Sequence, residues 1–171
     1  MANERKTESL VRDQLRTFGY YEPDNGISVE EQKSEIVKVK GLLSKASKNA
    51  KGNIGYPEFI ISNRKDTAFL IVVECKPDVK KHESPGRNKP VDYAVDGVLH
   101  YAKHLARHYT VLAVAVSGTT ASSMKVSNFL VPAGTTDVKE LVSEDNAPVT
   151  ELVPYDDYYR LASYDPDVAQ K

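Results

Sequence analysis

Three segments of the chain carry apolar residues at every third or fourth position, the spacing of one helical face. They predict helices over residues 3–18, 28–46 and 91–108. The second of these begins with Ser28 and Glu31, which are spaced as a helix capping box. The positions expected to face inward on the first and third helices are Val11, Leu15, Phe18, Val91, Val95, Val98, Ala102 and Leu105.

Four further segments are short, apolar and rich in β-branched residues, which is typical of buried strands. They cover residues 59–61, 67–75, 110–116 and 124–131. The second of them, TAFLIVVEC, has the continuous apolar character of a strand at the centre of a sheet. The polar run at residues 47–55 predicts a loop, residues 82–90 predict a mobile loop, and residues 137–142 and 155–162 predict two short helices.

The order of these elements predicts an α/β fold in which helices flank a mixed β-sheet. A length of 171 residues, with 40% hydrophobic and 27% charged residues, is that of one globular domain. We expect a single domain over residues 1–171, with a core at about 4–135 and a C-terminal extension at 136–171. The chain would fit the front portion of a larger protein.

Charge and cysteine content exclude several classes of protein. The formal net charge of -1 argues against a strongly basic nucleic-acid-binding protein, although a local basic cleft remains compatible with it. The single cysteine, Cys75, excludes a disulfide framework and a cysteine-cluster zinc site. Neither a membrane span nor a signal peptide is apparent, so we expect a cytoplasmic protein with no membrane partner.

Charged residues at the end of the central predicted strand are the strongest functional signal. Glu74 and Lys76 are two residues apart on that strand, so their side chains share one face. A hairpin that turns near residues 62–66 would bring Glu58 beside Glu74. Taken alone, Glu74 and Lys76 would also fit an ordinary solvated salt bridge.

Two adjacent carboxylates repel each other unless a cation lies between them. Magnesium prefers oxygen ligands, so Glu58 and Glu74 predict a Mg²⁺ site in which Mn²⁺ could substitute. The ion would activate water and polarise a phosphoryl oxygen. Lys76 beside it would orient the water or stabilise charge in the transition state, which makes a phosphodiester hydrolase.

At this point the sequence resembles the PD-(D/E)XK nuclease superfamily, whose signature is Pro-Asp followed by an acidic-x-Lys strand end. The matching residues are Pro57-Glu58 and Glu74-Cys75-Lys76. The first predicted helix resembles the helix that opens the N-terminal nuclease domain of type I restriction endonuclease R subunits. Its matching stretch reads TESLVRDQL over residues 7–15, followed by Gly19-Tyr20, and the resemblance extends to about Gly118.

The resemblance implies a restriction-endonuclease-like core and adds residues to the site. It makes Glu8, which shares the inward stripe of the first helix, a third metal ligand, and makes Tyr101 a DNA contact. There are two departures from the family pattern. Glu58 stands where the family usually has Asp, and Gly97 stands where a Gln commonly precedes the tyrosine by four residues.

A basic run follows the predicted site and includes Lys80, Lys81 and Arg87. It fits equally a set of DNA phosphate contacts and a merely solvated loop. We therefore expect a Mg²⁺-dependent DNA endonuclease domain of a restriction-modification system. It would act on double-stranded DNA beside motor, methyltransferase or specificity domains or subunits. The alternatives are a catalytically inactive nuclease-like module that binds DNA or docks a partner, and a repair nuclease on the same fold.

Overall fold

The computed structural model describes residues 2–46 and 55–169, with side chains from residue 5 onward. The loop predicted at residues 47–55 lies outside this range except for its last residue. In the described part no helix is long and apolar enough to cross a membrane.

A six-stranded mixed sheet forms the centre of the protein, with its strands arranged in chain order. The strands are β1 (Ile27–Glu31), β2 (Phe59–Asn63), β3 (Phe69–Lys76), β4 (Thr110–Ser117), β5 (Lys125–Val131) and β6 (Lys139–Glu140). Every neighbouring pair is antiparallel except β3 and β4, which are parallel and joined through a helix. The predicted α/β class with a mixed sheet is confirmed.

Helices cover both faces of this sheet. They are α1 (Ala2–Thr17), α2 (Val37–Leu43), α3 (Ala94–Leu105), α4 (Tyr155–Ser163) and α5 (Pro166–Ala169), with one 3-10 turn at Val79–Lys81. Because side chains alternate along a strand, each central strand contributes to two apolar layers. One layer packs against α2 and α3, and the other packs against α1 and α4. Both central strands are fully buried along their apolar runs, as predicted.

The helix predicted over residues 28–46 is wrong in its first half. Residues 27–31 pair along β2 as an edge strand, with Val29 opposite Ile61, and the helix begins only at Val37. Ser28 and Glu31 therefore do not form a capping box. Pairing with β2 holds both residues in an extended backbone, and pairing of this kind overrides a local helical signal.

Three smaller predictions also fail. Residues 137–142 are not a helix, because Lys139–Glu140 pair with β5 and Val142 forms a bridge to Pro148. Phe18 and Val91 were expected in the core but are 37% and 54% exposed, since each lies just outside the end of its helix.

The C-terminal part of the chain packs into the layer that contains α1. The hydroxyl group of Tyr158 donates to Asn128 Oδ1 at 2.7 Å, and Tyr20 Oη donates to the carbonyl oxygen of Val153 at 2.7 Å. The helix predicted at residues 155–162 is confirmed as α4. The boundary between core and extension predicted at residue 135 stays a prediction.

Candidate functional site

The predicted catalytic residues lie at one edge of the sheet, the one formed by the C-terminal ends of the parallel strands β3 and β4. β3 ends at Lys76 on this edge, and the antiparallel β2 begins there at Phe59. Phe59 lies opposite Val73, so the next step of the register places Glu58 opposite Glu74. Glu58 Oε2 accepts a hydrogen bond from the backbone N–H of Cys75 at 3.3 Å. The predicted proximity of Glu58 to the end of β3 is therefore confirmed, and its role as a ligand stays a prediction.

Glu74 is only 2% exposed. Strand alternation directs its side chain to the face covered by α3, where Val72 and Leu70 also point. A carboxylate at such a depth is costly unless hydrogen bonds or charges compensate it. The end of β3 is therefore a place where a buried carboxylate requires compensating contacts, and the metal-binding role of Glu74 stays a prediction.

Tyr101 of α3 lies near both carboxylates. Burial, and then the negative charges of Glu74 and Glu58, raise the pKa of Tyr101 above its usual range. Its ring is 3% exposed and belongs to the apolar layer beneath α3. The side chain does not reach the surface of the structure, and the DNA contact expected for Tyr101 stays a prediction. In this position the hydroxyl group of Tyr101 is exposed to the negative charges of Glu74 and Glu58.

Lys76 completes the group at the end of β3. Its side chain shares the face of Glu74, and Nζ donates to the carbonyl oxygen of Val91 at 2.8 Å. This bond fixes the ammonium group between the strand edge and the segment that leads into α3. The roles predicted for Lys76 in orienting water and stabilising charge stay predictions.

Helix α1 reaches the same edge from the other face of the sheet. The buried hydroxyl of Thr7 donates to the carbonyl oxygen of Gly118 at 2.7 Å, and a longer contact of 3.4 Å joins it to that of Lys76. Arg12 forms a two-pronged ion pair with Glu31 of β1, at 2.5 and 2.9 Å. These contacts place the N-terminal half of α1, which carries Glu8, over the ends of β3 and β4.

Gln32 connects Glu8 to the strand that carries Glu58. Its backbone is left-handed, with φ of 56°, which is unusual for a residue other than glycine. Its N–H donates to the carbonyl oxygen of Glu58 at 3.0 Å. Its side-chain amide donates to Glu8 Oε1 at 3.3 Å. Sequence reasoning missed Gln32 because its position depends on β1, which was predicted as helix.

The donor set suits a hard divalent cation in part. Glu58 and Glu74 are carboxylates at neighbouring register positions, and oxygen ligands of this kind suit Mg²⁺ and Mn²⁺. Within residues 2–46 and 55–169, no three His, Cys, Asp or Glu side chains are gathered as a metal cluster. Glu58 and Glu74 are therefore the two carboxylates that could hold such an ion, and the metal site and the participation of Glu8 stay predictions.

The predicted phosphate contacts lie on the segment that follows Lys76. The backbone N–H of Lys80 donates to Asp78 at 2.9 Å, and Lys81 Nζ lies 5.0 Å from the centre of the Tyr93 ring. Arg87 pairs with Glu83 at 2.7 Å and covers the ring of Phe129 at 5.0 Å. All three basic side chains belong to exposed residues, and their role as phosphate contacts stays a prediction.

Comparison with known proteins gives one informative similarity. Part of the chain is 32% identical over 132 residues to the type II restriction enzyme and methyltransferase RM.BcgI of Heyndrickxia coagulans. The match covers 69% of this chain and 19% of that protein, so the chain spans about a fifth of its relative. No family model matches the chain. No solved structure matches it either.

Proposed function

We propose that this chain is a metal-dependent DNA endonuclease domain of a restriction-modification system. The observation that carries the proposal is the cross-strand placement of Glu58 and Glu74 at one sheet edge, with Lys76 on the same face. The similarity to a restriction enzyme and methyltransferase supports the same system and double-stranded DNA as the substrate. It also favours methyltransferase, specificity or motor domains as partners, in the cytoplasm where such DNA is found.

Each group then has a defined part in phosphodiester hydrolysis. Glu58 and Glu74 would hold a Mg²⁺ or Mn²⁺ ion, which supplies a Lewis acid for water and for a phosphoryl oxygen. Lys76 orients the attacking water or stabilises the negative charge that develops on the phosphoryl group. The burial of Glu74 limits the water around its carboxylate, which strengthens its interaction with a cation.

Cleavage of supercoiled plasmid DNA in Mg²⁺ or Mn²⁺ tests the proposal. We expect nicking or linearisation by the wild type, with loss of at least about a hundredfold in rate for Glu74→Ala and Lys76→Ala. Glu22→Ala and Lys65→Ala are matched controls, because both residues are exposed and lie near the turn between β2 and β3, at the opposite end of these strands. Circular dichroism establishes that each variant is folded. Cleavage by either site variant at the wild-type rate would refute the assignment.

An inactive DNA-binding or docking module is the second candidate, and one contact favours it. Glu58 replaces the usual shorter acid, and Oε2 is engaged by the N–H of Cys75, so part of this carboxylate serves the backbone. Calorimetric titration with Mn²⁺, together with DNA binding, separates the two functions. Heat from the wild type that is lost in Glu74→Ala supports the nuclease. Absence of that heat, with DNA still bound, supports the module.

A further inference from the structure

Residues 82–90, in the segment between β3 and α3, were expected to form a mobile loop, yet buried polar groups anchor them. We call residues 77–93 the basic strap. Asp96, in the first turn of α3, is 2% exposed and accepts three hydrogen bonds from it. The donors are the backbone N–H of Ser84 at 3.1 Å, the Ser84 hydroxyl, and the backbone N–H of Lys89 at 2.9 Å. One carboxylate therefore fixes two points of the strap that are five residues apart.

His82 supplies a second anchor to the strand ends. Its Nδ1 lies 2.7 Å from Ser117 Oγ, and its Nε2 lies 2.9 Å from Ser127 Oγ. Its carbonyl oxygen accepts from the N–H of Val95 at 2.8 Å. Burial, and then the positive charge of Lys125, lower the pKa of His82 to about 4. The ring is therefore neutral near pH 7 and acts as a structural tie.

These anchors determine which charges the strap presents. Asp78 caps the N–H of Lys80, and Glu83 neutralises Arg87, so two acidic groups are turned to the strap itself. Lys80, Lys81 and Lys89 are exposed, as is Lys125 at the start of β5, whose charge acts on His82. The strap also starts one residue after Lys76. Lys125 lies at the same strand ends as Lys76, because Lys125 pairs with Ser117 and Ser117 pairs with Lys76.

We propose that the basic strap, together with the neighbouring Lys125 of β5, forms a preordered phosphate-binding surface for duplex DNA beside the candidate site, and that Asp96 is the positioning residue of the strap. This inference rests on the proposed function, because it names how that site holds its DNA. A surface that is already ordered loses little conformational entropy when it binds, so affinity improves without any additional contact. Lys80, Lys81 and Lys125 are the phosphate contacts, and Arg87 contributes mainly to packing.

The substitution Asp96→Asn distinguishes the effect of anchoring the strap from the effect of the negative charge on DNA binding. The substitution removes one negative charge, so electrostatics alone predicts tighter binding of DNA. If Asp96 acts by positioning the strap, binding should become weaker. The N–H groups of Ser84 and Lys89 donate to different oxygens of the carboxylate, and asparagine replaces one of these oxygens by an NH₂ group that cannot accept. Asp92→Asn is the matched control, since Asp92 is exposed on the same strap and its substitution changes the net charge equally. The assay is fluorescence anisotropy with a 30-base-pair duplex, without divalent cation, at several salt concentrations.

We expect Asp96→Asn to bind the duplex about tenfold more weakly than wild type and Asp92→Asn to bind as well or better. Hydrogen exchange at the amides of Ser84 and Lys89 should accelerate only in Asp96→Asn. Lys80→Ala and Lys125→Ala should each lower the slope of log affinity against log salt by about 1. If thermal melting shows Asp96→Asn unfolded, Ser84→Ala replaces it, with a smaller loss of affinity expected.

Equal affinity of Asp96→Asn and Asp92→Asn, or unchanged salt slopes in both lysine variants, would overturn the inference. The two proposals fail in distinguishable ways. A wild type that binds the duplex through the strap but never cleaves it in Mg²⁺ or Mn²⁺ defeats the nuclease and leaves the strap intact. A wild type that shows no duplex binding at low salt defeats the strap, even where plasmid cleavage is observed.

Discussion

A methyl group added at Gly55 should disturb the candidate site through Tyr101. A Cβ atom at this position would lie 2.6 Å from Tyr101 Oη, and 3.3 Å from a ring carbon of the same residue. Tyr101 is 3% exposed, so its ring cannot swing away from the new methyl group. The backbone that leads from Gly55 to Glu58 must therefore move by several tenths of an ångström, and Glu58 moves with it.

Overpacking of this kind costs about 1–3 kcal/mol of unfolding free energy. We expect Gly55→Ala to lose that amount in urea denaturation, and to lose Mn²⁺ affinity because Glu58 is displaced from Glu74. Gly41→Ala is the matched control. A Cβ atom at Gly41 meets no heavy atom within 4 Å, and the residue lies inside α2. Alanine there should raise the unfolding free energy by about 0.5–1 kcal/mol.

The Tyr101→Phe background makes the test specific. Removing the hydroxyl removes the 2.6 Å contact, so the added methyl group should cost far less stability beside Phe than beside Tyr. The coupling measured by this double-mutant cycle is expected to be about 1–2 kcal/mol. A cost of Gly55→Ala that is the same in both backgrounds would refute the steric reasoning, whatever its size.

Three further predictions concern stability. His82, with its pKa lowered to about 4, protonates more readily in the unfolded chain, so stability falls as pH drops from about 6.5 to 4, by ~2 kcal/mol at pH 5. Melting curves of His82→Asn should lose this part of the pH dependence, and a parallel decline in both proteins would contradict it. Gln32→Gly relieves a left-handed backbone and should add up to about 1 kcal/mol, yet weaken Mn²⁺ binding if Glu8 is a ligand. Asn146→Gly, at φ of 63° in the turn between Val142 and Pro148, is the control and should leave Mn²⁺ affinity unchanged. Tyr155→Phe should preserve or raise stability, because among the described residues its buried hydroxyl has no hydrogen-bond partner. Tyr158→Phe should cost about 1 kcal/mol, since it loses the bond to Asn128, and chemical denaturation that ranks the two variants the other way would refute the comparison.

The central strands and the helix between them could be predicted from the sequence. β3 and β4 are continuous apolar runs, and buried parallel strands have this pattern. The hairpin from β2 to β3 follows from a polar turn between two apolar runs, and it places Glu58 beside the end of β3. Glu58 and Glu74 could be predicted as a pair from the sequence, because the geometry of a strand hairpin alone places them side by side.

Contacts between segments far apart in the chain were harder to predict from the sequence. β1 is an edge strand whose pairing with β2 replaces a predicted helix, and Gln32 acquires its place only through that pairing. The family resemblance implied a DNA contact for Tyr101, whereas in the structure its side chain is buried in the layer beneath α3. Asp96 and His82 were not predicted as anchors, because a buried anchor is defined by the residues that it contacts.

Local periodicity and the covalent order of residues thus determined the class of fold and the end of β3 at which Glu58, Glu74 and Lys76 meet. Tertiary packing alone decided that residues 77–93 form an anchored strap and that α1 brings Glu8 over the strand ends. Periodicity reports which face of an element is apolar, and so it predicts the layers. Hydrogen bonds between buried polar groups depend on distances between remote segments, which no local pattern encodes.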